Sequence, residues 1–325
     1  MGSLLEIQNL SLSLRGSDRK KLPVLEGVTL SLEKGECLGI AGESGSGKSV
    51  LALTLMGLVP EASVLERHGS ARLDGRELMG LSEDEFRTLR GARMAMVFQE
   101  PMTALNPLLT IGEQVGETVY AHLSSVSEKD VAERVFRAMQ RAGFPDPNQH
   151  LASYPHQLSG GMRQRAMLAT ALVMDPDVII ADEPTTALDA ALQVQLLHEL
   201  RNGVKERGHA LIFISHDLGV IHSIADRLAV LYAGHLVEEG PASIVLEHPA
   251  HPYTAALTAA LPRLIPEHRL PKPIPGHLPS PDHKPAGCVF SDRCGKAQNE
   301  CRAAVPGVKD LGKNWRVRCL FPEAF

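Results

Sequence analysis

The chain is constrained most by a glycine-rich octet that lies between two apolar segments. A strand-like stretch, CLGIA, precedes the octet, and a helical pattern, VLALTLMGLV, follows it up to Pro60. The octet matches G-x-x-x-x-G-K-[ST] at every defined position. Its residues are Gly42, Glu43, Ser44, Gly45, Ser46, Gly47, Lys48 and Ser49. An octet of this kind between a strand and a helix predicts a phosphate-binding loop.

The residue types of this loop suit the phosphates and Mg²⁺ of ATP. Glycines let successive backbone N–H groups turn inward around phosphate oxygens, where a side chain would clash. The helix that follows adds its positive N-terminal end. We predict that Lys48 reaches the β- and γ-phosphates and that the Ser49 hydroxyl ligates Mg²⁺. ATP and Mg²⁺ are therefore the expected cofactors.

Two short apolar segments, VIIADE (178–183) and ALIFISHD (210–217), each run straight into charged residues. Apolar runs without alternation are typical of strands buried on both faces, which favours an α/β fold with a parallel sheet under helices. Asp182 is positioned to hold Mg²⁺ through water, and Glu183 to orient the attacking water as a base. His216, at the end of the other strand, is a candidate sensor of the γ-phosphate.

A second anion-binding pattern, LSGGM (158–162), precedes the helical pattern RQRAMLATALV. Ser159, Gly160 and Gly161 offer a hydroxyl and backbone donors at a helix N-terminus. One nucleotide has no need of two such sites on one chain. We interpret this surface as completing the nucleotide site of a second ATPase subunit.

Composition narrows the possible partners. The formal charge of −5 and the aromatic content of 4 % argue against nucleic acid, which requires phosphate neutralisation and stacking platforms. No run approaches the ~20 apolar residues needed to span a bilayer. The start, MGSLLEIQNL, lacks the cationic and apolar regions of a signal peptide. We therefore expect a cytosolic chain whose membrane role comes through a partner.

The secondary-structure signals in the sequence change along the chain. Strand signals dominate residues 5–41, helical signals dominate about 100–165, and LAVLYAGHLVEEG (228–240) is typical of a hairpin. Between residues 262 and 285 there are eight prolines, which predict a semi-rigid connector. We therefore predict a nucleotide-binding domain at 1–248 and a C-terminal extension at 249–325, whose cysteine-rich tail covers 287–325.

These motifs together resemble those of the ATP-binding-cassette (ABC) family, in which they occur in the same order and at similar spacing. The resemblance rests on the octet, Gln99, the LSGGM signature, Asp182-Glu183, Ala187-Leu188-Asp189 and His216. It implies a RecA-like P-loop core with an N-terminal antiparallel β-subdomain and an inserted helical subdomain. Two such domains would face head to tail, with ATP between one phosphate loop and the other's signature. It also implies that Gln99 touches Mg²⁺ and the attacking water.

Several longer segments resemble one particular branch of the ABC family. VFQEPMTALNP (97–107), YPHQLSGGMRQR (154–165), DEPTTALDA (182–190) and HPYT (251–254) resemble the ATPases of dipeptide, oligopeptide and nickel importers. The dipeptide/oligopeptide type is the most similar. This implies a second, different ATPase subunit, two membrane permeases and an extracytoplasmic binding protein. The chain would lie peripherally on the cytoplasmic face of the cell membrane, with residues 99–116 and the helical subdomain receiving a permease helix.

One departure from the family concerns adenine, which these ATPases normally stack on an aromatic residue. Here no Phe, Tyr or Trp occurs before Phe86. We predict that Leu14 or Val24 supplies an aliphatic platform instead, without the aromatic stacking contribution.

Four of the five cysteines lie in the tail, as C-x5-C-x6-C-x17-C: Cys288, Cys294, Cys301 and Cys319. Four thiolates in such a segment can wrap a tetrahedral or a cubane centre, and the paired C-x2-C of common zinc sites is missing. The resembled branch carries a [4Fe–4S] cluster on this motif, which favours the cluster. Zinc, or free or oxidised thiols, are the alternatives.

The leading function is an ATPase subunit of a di- or oligopeptide importer. Importers of nickel chelates, glutathione or opines would use the same machinery. A soluble cassette ATPase that acts on DNA or ribosomes usually carries two cassettes, a long coiled coil or basic arms, none of which the sequence indicates. A non-hydrolysing scaffold is disfavoured because every catalytic position is filled.

Overall fold

A computed structural model describes residues 2–16, 20–100, 104–186, 188–260 and 273–323. The chain divides into two compact units, each with its own strands and helices. The first comprises residues 1–32, 38–79 and 214–325, and the second comprises 33–37 and 80–213. Ala187, and residues 262–272 of the predicted proline-rich connector, lie outside the described residues, as do residues 101–103 of the segment at 97–107.

The elements alternate between strands and helices in the order expected of an α/β chain. The strands are β1 Leu5–Arg15, β2 Lys21–Leu32, β3 Cys37–Ala41, β4 Val64–Leu73, β5 Arg76–Glu77, β6 Met94–Val97, β7 Val178–Asp182, β8 Ala210–Ile214, β9 Arg227–Tyr232, β10 His235–Pro241, β11 Lys309–Asp310 and β12 Arg316–Val317. The helices are α1 Lys48–Leu55, α2 Glu83–Leu89, α3 Ile111–His122, α4 Glu128–Arg141, α5 Gly160–Leu172, α6 Ala190–Arg207, α7 Leu218–Ile224, α8 Ala242–Glu247, α9 Pro252–Ala259 and α10 Asn299–Ala303.

The first unit holds an antiparallel sheet of order β2-β1-β4-β5. On β1 the apolar side chains Leu5, Ile7, Leu10 and Leu12 are buried, while polar neighbours between them are more exposed. This alternation puts one face of the strand on a core. A register shift between Ile7 and Leu10 keeps both of these residues buried. The predicted antiparallel β-subdomain is thus confirmed.

A second set of strands in the same unit has the order β11-β12-β10-β9-β3. Strand β3 is buried at every position and runs parallel to β9, from the Leu38–Arg227 pair to the Ala41–Val230 pair. Strands β9 and β10 form the antiparallel hairpin that the sequence predicts. The short strand β12, from the C-terminal tail, pairs with β10 and so joins the tail to this sheet.

The second unit contains strands in the order β8-β7-β6, and β6 and β7 are parallel. Both VIIAD and ALIFI are buried at all five positions, as their uninterrupted apolar sequences predict. Helices α3, α4 and α5 pack against one another. Each begins after a hydroxyl side chain that accepts a backbone N–H of the first turn: Thr110, Ser127 and Ser159.

The helix after the octet is shorter than the sequence pattern suggests. We expect it to continue towards Pro60, but α1 ends at Leu55. Gly57 adopts a left-handed conformation with φ 62°, and its N–H donates to the Thr54 carbonyl. The Leu58 N–H donates to the Leu53 carbonyl at 2.8 Å. This pair of bonds is a Schellman motif, which terminates the helix at a glycine whatever apolar residues follow.

Within the described ranges, no helix is both long enough and apolar enough to cross a membrane.

Candidate functional site

The phosphate loop connects the buried strand β3 to α1 and is tightly enclosed on its inner side. A Cβ at Gly42 would collide with the Leu231 carbonyl oxygen. Gly47, with φ 106°, lies where a Cβ would be 3.1 Å from the Val24 carbonyl oxygen. Both positions therefore require glycine, as the motif predicts. Ser44, Gly45 and Ser49 are exposed, so the outer side of the loop is open to a ligand.

Lys48 lies at the centre of this loop and is only 5 % exposed. Its Nζ donates to the Gly42 carbonyl at 2.8 Å and to the Glu43 carbonyl at 3.0 Å. Carbonyl oxygens are neutral acceptors, and phosphate oxygens make shorter and stronger bonds to an ammonium group. The ammonium is therefore already positioned in the loop where an incoming phosphate would compete for it.

The loop contacts two side chains that no motif of the sequence predicts. The Glu43 N–H donates to the Tyr253 hydroxyl at 2.8 Å. The Glu43 carboxylate accepts two hydrogen bonds from Arg293, at 2.6 and 2.9 Å. Tyr253 and Arg293 are more than 200 positions away in the chain, and neither belongs to a recognisable phosphate-binding pattern. Only folding brings them to the loop.

In the second unit the structure brings Gln99 and Glu183 together. The Gln99 Nε2 lies 3.2 Å from the Glu183 Oε2, and the Thr186 hydroxyl donates to the same oxygen at 3.2 Å. Glu183 follows β7 with a positive φ of 47°. A non-glycine residue in this conformation is strained, and such strain concentrates at functional sites. Asp182, just before it, is 5 % exposed at the end of the strand.

The signature residues cap helix α5. The Ser159 hydroxyl accepts the Met162 N–H at 3.3 Å, and Ser159 and Gly160 are exposed. The first N–H groups of a helix have no acceptor within it, so this end can take an anion. Gly161 has a packing reason of its own, since a Cβ there would collide with the Leu192 side chain of α6. Asp189 caps α6 by accepting the Leu192 N–H at 3.0 Å.

His216 follows β8 and is exposed, next to Asp217, which caps α7. Its role as a γ-phosphate sensor stays a prediction, as do the roles of Gln99, Asp182, Glu183 and the signature residues.

The four tail cysteines are gathered by the fold. The Cys288 N–H donates to the Cys301 carbonyl at 2.7 Å. Burial raises the pKa of the Cys288 thiol, and the neighbouring thiols of Cys294 and Cys301 raise it further. Burial likewise raises the pKa of Cys319 to about 11, and each of the other three thiols adds to that rise. The hydrogen bond between Cys288 and Cys301 places these two cysteines next to each other.

Backbone N–H groups also point at these sulfurs. The N–H two residues on, at Phe290, Lys296 and Phe321, donates to the sulfur of Cys288, Cys294 and Cys319 respectively, and each bond opposes the rise in thiol pKa. All four cysteines are free of disulfides. In the part of the chain that the structure describes, no group of three or more His, Cys, Asp or Glu side chains is arranged to hold a metal ion.

The predicted adenine platform lies on the first sheet. Leu14 pairs with Leu22 across β1 and β2, so Leu14, Leu22 and Val24 share one face of the sheet. Leu14 and Val24 are both partly exposed. The backbone of Val24 reaches the loop at Gly47. The assignment of adenine to this face stays a prediction.

We expect Leu14→Tyr to raise the affinity for ATP, because an aromatic ring stacks on adenine where leucine gives only aliphatic contact. Aromatic pairs contribute about 0.5–1.5 kcal/mol beyond burial, which corresponds to a several-fold decrease in the dissociation constant. Titration with ATP measures the change. Leu65→Tyr is the control, because Leu65 is an exposed leucine of β4, which lies on the other side of β1 from the strand that carries Val24. An unchanged dissociation constant in Leu14→Tyr would show that Leu14 does not touch adenine.

In a comparison with known protein families, two family models match separate parts of the chain. A family model described as "ABC transporter" matches residues 25–186. A second, described as "Oligopeptide/dipeptide transporter, C-terminal region", matches residues 237–301. The second match covers α9 and part of the cysteine-rich tail.

Curated relatives match over nearly the whole length. The chain is 40 % identical to the oligopeptide transport ATP-binding protein AppD of Bacillus subtilis (strain 168), over 99 % of this chain and 98 % of that protein. It is 41 % identical to the dipeptide transport ATP-binding protein DppD of the same organism, over 99 % of this chain and 96 % of the relative.

Solved structures match the nucleotide-binding part. The dimeric bacterial ABC transporter cassette MJ0796 superposes with a TM-score of 0.66 at 27 % identity, covering 73 % of this chain and 98 % of the cassette. A post-hydrolysis state of the same cassette, bound to ADP and Pi, matches equally well.

Proposed function

The chain belongs to the oligopeptide/dipeptide branch of the ABC transporter family, and from this membership we propose that it is the ATP-hydrolysing subunit of a membrane importer of short peptides. It hydrolyses ATP, and the importer uses that hydrolysis to drive transport. One observation of the structure supports the proposal most directly. The Gln99 amide lies 3.2 Å from the Glu183 carboxylate, so the two residues proposed to handle the attacking water are already in contact.

In this proposal the residues of the site have different roles in ATP hydrolysis. Lys48 and the loop N–H groups would hold the phosphates, while Ser49, Gln99 and Asp182 would hold Mg²⁺. Glu183 takes a proton from the water whose oxygen forms a bond to the γ-phosphorus. The bond between that phosphorus and the β–γ bridging oxygen breaks, and ADP leaves with the bridging oxygen. Lys48 and the signature serine of a second ATPase subunit stabilise the charge that develops on the phosphoryl oxygens, and Ser159 does the same for the nucleotide of that subunit. Mg²⁺, when bound, would neutralise part of this charge. His216 contacts the γ-phosphate.

The partners follow from the family. Both the signature and Glu183 are intact, so this chain contributes to two composite sites in a dimer of ATPase subunits. We propose that the second ATPase is a different chain, and that two permeases and an extracytoplasmic binding protein complete the importer. Residues 1–248 serve as the nucleotide-binding domain, 100–165 supply its helical subdomain, and 249–325 form the extension.

The proposed permease contact lies in the segment 99–116. Leu108 in this segment is 82 % exposed, more than any other large hydrophobic side chain of the described residues. Exposed apolar side chains on an otherwise polar surface mark sites of protein association. We therefore assign Leu108 to the contact with a permease helix.

An affinity pull-down from detergent-solubilised membranes of the native host tests this function. We expect mass spectrometry to identify two polytopic permeases and a second ABC ATPase among the copurifying proteins. Leu108→Asp should lose the permeases while keeping ATP binding. Val308→Asp is the control, because Val308 is also an exposed hydrophobic residue but lies in the tail. Recovery of soluble partners alone, such as ribosomal proteins, would contradict the importer.

The tail is proposed to hold a [4Fe–4S] cluster on Cys288, Cys294, Cys301 and Cys319. The donor set fits such a group, since four mutually influencing thiols are present and backbone N–H groups point at three of the sulfurs. Zinc on the same four cysteines is the alternative. Bound there, the cluster would cross-link a segment that has little apolar core.

The cluster makes a prediction of composition and colour. We expect chain purified without oxygen to be brown, with a broad band near 400 nm and about four iron atoms per chain. Cys294→Ser should lose most of the iron. Cys37→Ser should retain it, because Cys37 lies in β3 and outside the tail. A colourless protein that holds one zinc ion, prepared in the same way, would contradict the cluster.

A further inference from the structure

The side chain of Arg293, which lies between Cys288 and Cys294, connects the cysteine-rich tail to the phosphate loop. Its Nη1 donates to the Glu43 Oε2 at 2.6 Å, and its Nη2 donates to the Glu43 Oε1 at 2.9 Å. This is a two-pronged pairing of guanidinium and carboxylate, which is both strong and directional. The Arg293 side chain is only 7 % exposed and the Glu43 side chain is 28 % exposed, so the pair is partly shielded from solvent.

Arg293 is itself rigidly held by its surroundings. Its Nε donates to the Pro275 carbonyl at 2.8 Å, and its Nη1 also donates to the Tyr232 hydroxyl at 3.2 Å. The guanidinium lies over the rings of Tyr232 and Phe290, with its central carbon 5.7 and 6.0 Å from their centroids. The backbone N–H of Arg293 donates to the Phe290 carbonyl. The tail thus presents the guanidinium in one fixed orientation.

Glu43 passes this constraint to the phosphate-binding lysine. Its N–H donates to the Tyr253 hydroxyl at 2.8 Å, and its carbonyl oxygen accepts from the Lys48 Nζ at 3.0 Å. The side chain, the N–H and the C=O of Glu43 are therefore all engaged at once. A shift of Glu43 would move an acceptor that orients Lys48.

The proline-rich connector touches the same loop. A Cβ at Gly45 would lie 3.3 Å from the Leu278 Cδ2, so Leu278 lies directly against the loop. The connector and the cysteine segment therefore contact two residues of one octet, Glu43 and Gly45. Neither Arg293 nor Leu278 belongs to a nucleotide-binding motif of the sequence.

We propose that Arg293 is a positioning residue of the nucleotide site, through which the folded cysteine-rich tail holds the phosphate loop in its ATP-binding conformation. The proposal rests on the proposed ATPase function and adds a control of nucleotide affinity by the C-terminal extension. Arg293 touches no nucleotide in this scheme. It acts on Lys48 through Glu43.

Loss of the guanidinium leaves the Glu43 carboxylate without its charged partner at a mostly buried position. We expect the loop to relax and the dissociation constant for ATP to rise about tenfold in Arg293→Ala, a typical size for coupling between distinct sites. Arg293→Lys keeps the charge but loses the two-pronged pairing, so a smaller rise is expected. The maximal hydrolysis rate at saturating ATP should change less than the KM for ATP, because no catalytic group is removed.

The experiment is ATP titration and steady-state hydrolysis on the full-length chain with wild-type sequence, Arg293→Ala, Arg293→Lys and Glu43→Gln. Arg302→Ala is the matched control, since Arg302 belongs to the same tail, pairs with the exposed Asp292 at 3.2 Å and is itself 61 % exposed. It should bind ATP as the wild type does. If Arg293→Ala does not fold, Arg293→Lys carries the test. The double variant Arg293→Ala/Glu43→Gln should bind ATP no more weakly than either single variant, because both changes remove the same interaction.

Hydrogen exchange provides a readout that general destabilisation would not mimic. Coupling of two sites is reciprocal, so ATP should slow amide exchange in residues 288–294 of the wild type and of Arg302→Ala. In Arg293→Ala this protection should be lost while the exchange of the unliganded tail stays similar.

Two results would overturn the proposal: an ATP affinity in Arg293→Ala within twofold of the wild type, or an equal loss in Arg302→Ala. Failure of the proposed function itself looks different, because the wild-type chain would then neither bind nor hydrolyse ATP.

Discussion

Glu183→Gln is expected to leave ATP binding intact and to lower the maximal rate of ATP hydrolysis by at least about 100-fold, the usual contribution of a general base. Glutamine has nearly the size and shape of glutamate but cannot accept a proton from water. Glu183 directly follows β7, and its carboxylate is within hydrogen-bond distance of Gln99 and Thr186. The substitution changes the chemistry of this position and little of its packing.

Single-turnover hydrolysis and ATP titration on the same preparation separate the two expectations. Glu206→Gln is the matched control, since it makes the same chemical change at an exposed residue of α6. It should hydrolyse ATP at the wild-type rate. If Glu183→Gln also turns over at the wild-type rate, Glu183 is not the base, and the assignment of the site must be changed.

Lys48→Ala is expected to weaken ATP binding by about 100-fold, because it removes the only side-chain cation of the phosphate loop. Hydrogen bonds that involve a charged group contribute about 1.5–3 kcal/mol each, and about 2.7 kcal/mol corresponds to a 100-fold change in the dissociation constant. Lys48 is buried in the loop, with its Nζ bonded to the carbonyls of Gly42 and Glu43. Those carbonyls would lose their donor as well.

ATP titration measures the loss, and the melting temperature without nucleotide shows whether the loop still folds. Lys34→Ala is the control, because Lys34 lies exposed in the turn between β2 and β3. It should keep both affinity and stability. Wild-type affinity in Lys48→Ala would mean that the octet does not bind the phosphates.

The parts of the site that are local in the chain could be predicted from the sequence. A glycine-rich loop binds phosphate with the backbone N–H groups of eight consecutive residues, and the helix after it begins within the loop. The conformation of the loop therefore depends on one short segment of sequence. The buried strands that lead to Asp182 and His216 could also be predicted, because uninterrupted apolar runs of four or five residues are typical of strands buried on both faces. The early end of α1, two residues before Gly57, also depends on local sequence. It was not predicted because apolar residues on both sides of the glycine continue the helical pattern.

The amino-acid sequence by itself thus determined the fold class, the glycine-rich turn between β3 and α1, and the family, since each of these depends on residue types at fixed short spacing. Only the tertiary structure brought Arg293 and Tyr253 to Glu43, from positions 250 and 210 residues further along the chain. A salt bridge or a tyrosine hydroxyl leaves no periodic trace in a sequence, because its geometry depends on where distant segments meet. The link between the cysteine-rich tail and the phosphate loop therefore follows from packing alone.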